Sequence, residues 1–124
     1  MATISNISID QGASFATVVY LVDTDGNPMN LTGYEGESEL RKSYQSTTSV
    51  EFSVDFDPDR TKGIIYVSLE AAKTTGLEFG RYVWDLLLTN SHGTRIRSVE
   101  GIATVNPSVT RVSVVERPPV GPEV

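Results

Sequence analysis

The 124-residue chain is long enough for one domain with its own core, because folding at this length hides roughly two thirds of the surface of the unfolded chain. The absence of cysteine excludes disulfides, zinc fingers and thiol catalysis, and is compatible with a reducing cytoplasm. The net charge is −6, with the acidic surplus in residues 1–62, so we expect no nucleic acid partner, since phosphate binding needs a basic surface.

The first half of the chain predicts four strands separated by turns. An isoleucine-rich stretch at residues 4–9 indicates a short first strand. Residues 15–22 are β-branched and aromatic on both faces, which is typical of a central strand covered on both sides or of a strand with one side towards a partner. A polar strand is predicted over residues 34–44 and an alternating strand over residues 50–56. The polar strand carries three glutamates on its predicted solvent face: Glu35, Glu37 and Glu39.

The second half predicts three strands and one short helix. A strand over residues 63–69 is followed by a helical turn with Ser68 as its cap and Gly76 as its end. Residues 79–89 alternate with a period of two, which indicates a strand with one buried face, and this strand forms a hairpin with residues 94–105. The buried face is predicted to carry Tyr82, Trp84, Leu86 and Leu88, with Arg81 and Asp85 on the other face.

These elements predict an all-β fold, an antiparallel Ig-like β-sandwich of about seven to eight strands with one short helical turn. Residues 1–107 are predicted to form the sandwich domain. Residues 108–124 end in the proline-rich sequence RPPVGPEV and are predicted to form an extended C-terminal arm. The apolar side chains of the arm are predicted to bind a partner: Val109, Val112, Val114, Val115, Pro118, Pro119 and Val120.

No combination of residues predicts a catalytic or metal site. Asp55, Asp57 and Asp59 have the spacing of the first three ligands of a calcium loop, but the glycine and glutamate that complete such a loop are missing. A turn is the better interpretation for them and for residues 23–27, and cation binding at either turn stays open. His92 lies at a predicted hairpin tip without partners for a catalytic relay. We therefore predict a non-enzymatic protein with no metal and no cofactor.

Nothing in the sequence predicts export or membrane insertion. The N-terminal residues lack a basic start followed by an apolar run, and no segment approaches the ~18 apolar residues of a membrane span. We therefore expect no membrane partner.

Six segments together resemble a family of small tailed-phage virion proteins, and also the N-terminal domain of phage baseplate upper proteins. They are GASF at 12–15, DGNPMNLTGY at 25–34, LRK at 40–42, GIIYVSL at 63–69, GRYVWD at 80–85 and EGIATVNP at 100–107. The likeness spans about residues 4–111. Its motifs are mostly turn glycines and alternating strands, which specify a fold better than a function.

The resemblance implies a structural protein made in the host cytoplasm and assembled into the virion in many copies. It implies a tail, baseplate or neck adaptor, or a capsid-surface decoration, whose partners are other virion proteins, with itself as a further candidate. The alternative is a free carbohydrate- or peptide-binding sandwich module. That module would bind through its loops and use exposed rings among Tyr34, Tyr44 and His92.

Overall fold

The computed structural model describes residues 2–43, 45–46 and 48–109, which fold into two facing β-sheets. The larger sheet has the order β1-β9-β8-β4-β5, with β2 also paired to β9, and the smaller sheet has the order β3-β7-β6. The strands are β1 (Thr3–Ile4), β2 (Ile7–Asp10), β3 (Phe15–Tyr20), β4 (Glu35–Arg41), β5 (Val50–Glu51), β6 (Ser53–Phe56), β7 (Ile64–Leu69), β8 (Gly80–Thr89) and β9 (Arg95–Asn106). The predicted all-β Ig-like sandwich is confirmed.

The larger sheet is mixed, whereas the sequence predicted antiparallel strands throughout. Both β1 and β2 run parallel to β9, with Thr3 opposite Val99 and Ile7 opposite Ala103. The remaining strand pairs, including all of those in the smaller sheet, are antiparallel. Side-chain alternation identifies the buried face of a strand but not the direction of its neighbour, so the parallel edge could not be predicted.

Strand β8 supplies the centre of the core, as its alternation predicted. Tyr82, Trp84, Leu86 and Leu88 are buried, whereas Arg81 is exposed and Asp85 half-buried. The Trp84 ring meets the Phe52 ring edge-on at 5.9 Å between centroids, a favourable geometry for two aromatic rings. Phe52 lies between β5 and β6, so this contact joins the centre of the larger sheet to the chain that leads into the smaller one.

The N-terminal segment crosses over β9 at Gly101, between β1 and β2. The Trp84 indole Nε1–H donates to the Ser5 carbonyl at 2.8 Å, and the Ser5 N–H donates to the Glu100 carbonyl at 2.9 Å. The Ile102 N–H donates to Asn6 Oδ1 at 3.0 Å. A Cβ atom at Gly101 would overlap the Ser5 carbonyl. Glycine is therefore required here by the close approach of two backbones.

The described residues contain two helical turns, where one was predicted. A 3₁₀ turn spans Arg60–Lys62, and helix α1 spans Ala71–Thr75 and ends at Gly76, as expected. The predicted serine cap is wrong, because Ser68 belongs to β7 and is held in the sheet opposite Ala16. Glu70 occupies the capping position without a side-chain capping bond.

The side chain of Thr74 joins helix α1 to the turn between β2 and β3. It is fully buried, and its Oγ1 donates to the Ala13 carbonyl at 2.8 Å and accepts from the Gly12 N–H at 3.1 Å. Gly12 has a φ of 85°, a left-handed conformation that favours glycine. The hydroxyl thus satisfies two main-chain groups of the turn that leads into β3.

Candidate docking surface

Among the described residues, strand β3 lies at the edge of the smaller sheet and pairs with β7 alone. This corrects one of the two interpretations of residues 15–22, a central strand covered on both sides. Phe15, Thr17 and Val19 point inwards and are half-buried, whereas the alternate residues point outwards and are exposed. The outer side of an edge strand is therefore apolar, which fits the other interpretation, a strand with one side towards a partner.

Four exposed apolar and aromatic side chains lie on this side of the sandwich. Val18 and Tyr66 are direct cross-strand neighbours and are 40% and 39% exposed. Tyr20 and Val22, further along the chain, are 72% and 62% exposed. Val18, Tyr20, Val22 and Tyr66 are called the outer apolar face below. Single exposed hydrophobic residues are common, but a contiguous group of large ones is typical of an interaction site.

An acidic turn borders the outer apolar face. The Tyr66 hydroxyl donates to Asp57 Oδ2 at 2.9 Å, and this bond is the main cause of the raised pKa of Tyr66. The pKa of Asp57 is lowered, first by the N–H of Asp59 and then by the Tyr66 hydroxyl. Asp57 therefore stays ionised at neutral pH and places a negative charge beside the tyrosine ring.

The carboxylates of the two acidic turns accept hydrogen bonds from their own loops. Asp59 Oδ1 accepts from the Thr61 hydroxyl and N–H, and the hydroxyl is the larger cause of the lowered pKa of Asp59. Asp23 Oδ1 accepts from the N–H groups of Asp25 and Asn27. These bonds are those of Asx-type turns. Within the described residues, no group of three His, Asp or Glu side chains is placed to hold a metal ion.

A shallow depression of about 260 Å³ lies on the outer side of the larger sheet. Its charged groups include two ion pairs, Arg41 with Glu39 at 2.7 Å and Arg97 with Asp85 at 3.2 Å. All four side chains are partly exposed, so each pair is screened by solvent and adds little stability. The depression combines carboxylates with guanidinium groups, and its lining contains no serine, threonine or histidine to act as a nucleophile or proton shuttle.

The structure describes only part of the predicted partner-binding set. Val109 is fully exposed, and its role in partner binding stays a prediction. The remaining six residues lie outside the described residues, and their role stays a prediction: Val112, Val114, Val115, Pro118, Pro119 and Val120. The sequence did not single out Tyr20 and Tyr66, although the two-sided apolar pattern of residues 15–22 was a usable signal for the first of them.

The structure describes two of the three rings named for a carbohydrate module. Tyr34 is half-buried and packs against the core, and Tyr44 lies outside the described residues. His92 is exposed at the β8–β9 hairpin tip, where its N–H donates to Asn90 Oδ1 at 2.9 Å. Tyr20 and Tyr66 are the exposed tyrosines that the described structure brings to one face.

No helix in the described part of the chain combines the length and apolar character needed to span a membrane.

Comparison with known proteins yields matches at the level of structure. No family model matches the sequence, and no curated protein matches it. A structure titled as the Lin-41 filamin domain is similar with 16% identity and a TM-score of 0.45, covering 80% of this chain and 82% of that one. The internalin-like protein lmo2027 of Listeria monocytogenes is similar with 15% identity and a TM-score of 0.46. That match covers 85% of this chain but only 28% of the Listeria protein.

Proposed function

We propose that this chain is a non-enzymatic structural protein of a tailed-phage particle that docks on other virion subunits. The family resemblance of residues 4–111 is the reason to propose a phage particle. It implies the tail, baseplate, neck or capsid surface as the location. The observation that carries the docking role is the outer apolar face. It contains two exposed tyrosines, Tyr20 and Tyr66, and tyrosine is one of the residue types that dominate the energy of protein interfaces.

The chemistry of the outer apolar face favours a protein partner with an apolar centre and basic groups at one end. Val18, Tyr20 and Val22 would lose their contact with water in such a complex, which is the main driving force of association. The ionised Asp57 next to Tyr66 would attract a lysine or arginine of the partner at the rim. The overall charge of −6 would speed the approach of a basic partner.

Incorporation into particles tests this proposal. The double variant Val18→Thr with Tyr20→Thr places β-branched side chains, which favour a strand, at both positions of β3 and reduces the apolar surface. Ile96→Thr is the matched control, since Ile96 is 41% exposed on the larger sheet. We expect the double variant to be incorporated at least about tenfold less, because loss of a hot-spot tyrosine exceeds ~1.4 kcal/mol. Copy number would be measured by mass spectrometry of purified particles.

Equal incorporation of the double variant and the wild type would overturn docking through this face. Circular dichroism of the purified variants ensures that only folded proteins are compared. Saturable glycan or peptide binding by the wild-type protein, lost in the double variant while incorporation is unchanged, would replace the proposal with the free binding module.

A further inference from the structure

The outer edge of β3 presents main-chain groups without a strand to pair with in the described part of the chain. The Leu21 N–H donates to the Gly63 carbonyl at the end of the β3–β7 pair. Because bonded positions alternate in an antiparallel pair, Phe15, Thr17 and Val19 also bond towards β7. The N–H and C=O groups of the residues between them therefore point to the free edge: Ala16, Val18 and Tyr20.

The chain leaves the described structure next to the beginning of this edge. The Gln11 N–H donates to the Asn106 carbonyl at 3.0 Å, and the Ser108 N–H donates to the Gln11 side chain at 3.2 Å. Ser108 Oγ lies 4.0 Å from the position of a Cβ at Gly12. The end of β9 is thus held against the turn that leads into β3. Gly12, the neighbour of Ser108 in space, lies three positions before Phe15, the first residue of that strand.

The segment that follows has the length and composition of a strand that matches β3. Five of the seven residues at 109–115 are β-branched, which favours extended structure. Eight residues, 110–117, precede Pro118, and β3 has six residues, or about 20 Å at the rise of a strand. Pro118 and Pro119 lack the N–H needed to continue a ladder, so pairing would stop where β3 ends.

We infer that residues 110–116 pair in parallel with the free edge of β3 in the same chain, as a fourth strand of the smaller sheet. Asn106-Pro107-Ser108 has turn-forming composition, and a reversal there would repeat the one that the chain makes between β2 and β3. The larger sheet already has a parallel edge of this kind, where β1 and β2 lie beside β9. Alternate valines of the new strand would extend the outer apolar face.

The chain leaves the described residues next to the start of β3, and this position favours the chain's own segment over other occupants of the free edge of β3. A tethered segment that starts beside its site acts at an effective concentration in the millimolar range. The residues 110–124 carry two arginines and two glutamates, so they bring no net charge to an acidic domain. A second copy of the domain would instead bring a second charge surplus of −6. This inference concerns the isolated chain and does not depend on the proposed function.

Amide hydrogen exchange measured by NMR tests the pairing. In the full chain, exchange at Ala16, Val18 and Tyr20 should be at least about tenfold slower than in a chain that ends at residue 109. The amides of Thr17 and Val19 are internal controls, since they bond to β7 in both proteins. Static light scattering at the same concentration should report a monomer.

Two pairs of proline substitutions separate the strand from the rest of the arm. Val112→Pro with Ser113→Pro should restore fast exchange at the edge amides, because adjacent prolines remove an N–H from both sides of the strand. Val120→Pro with Gly121→Pro should leave the protection unchanged. Equal exchange in the full and shortened chains would overturn the inference. Protection confined to a dimer that dissociates on dilution would also overturn it, because a second copy would then supply the strand.

Discussion

Replacement of Gly101 by alanine should destabilise the sandwich more than the addition of one methyl group usually does. The new methyl group would overlap the Ser5 carbonyl, and backbone cannot move aside as a flexible side chain can. Moving the crossing would weaken the hydrogen bonds from Trp84 to Ser5, from Ser5 to Glu100 and from Ile102 to Asn6. At about 1 kcal/mol for each bond, the expected loss is about 3 kcal/mol.

Thermal and urea unfolding measure this loss. For a domain near 100 residues, about 3 kcal/mol corresponds to a decrease in Tm of roughly 12 to 24 °C. Gly76→Ala is the matched control, because Gly76 has a helical φ of −82° and its added Cβ would have its nearest neighbour at 3.8 Å. We expect that control to change stability by less than about 1 kcal/mol. If Gly101→Ala lowers the free energy of unfolding by less than about 1 kcal/mol, the N-terminal segment tolerates displacement. That result would refute the conclusion that its crossing over β9 is fixed.

Two further predictions concern threonine hydroxyls. Thr74→Val should cost about 2 kcal/mol in urea unfolding, because it removes the two hydrogen bonds from this buried hydroxyl to the main chain of Gly12 and Ala13, at about 1 kcal/mol each. Thr75→Val serves as the neighbouring control. Thr61→Val should raise the pKa of Asp59 towards its ordinary value of 3.8, as measured by NMR titration. Since the folded pKa lies below that value, the stabilisation by Asp59 is present above pH 3.8 and is lost as the pH falls through the folded pKa. An unchanged titration curve would show that the hydroxyl does not control the carboxyl.

Local chemistry was sufficient to predict the elements that depend on near neighbours. The Asx-type hydrogen bonds within the acidic turn at Asp57 and Asp59 and within the hairpin tip at His92 join residues two apart, so the local sequence carries the information for these turns. The end of helix α1 at Gly76 is equally local. Its start was mispredicted because Ser68 is held in β7 by pairing with β3, a contact that short-range rules do not include.

The sequence by itself determined that the chain is all-β and that one face of residues 79–89 is buried, because a period of two follows from strand geometry alone. The tertiary structure decided which strands are neighbours. It placed β3 at an edge, β1 and β2 parallel to β9, and Tyr66 beside Val18. Strand order depends on contacts between residues far apart in the chain. The alternation of a strand's side chains is the same whether its edge is covered or open, so only the fold revealed that β3 lies at an edge and that Tyr66 joins its exposed side chains.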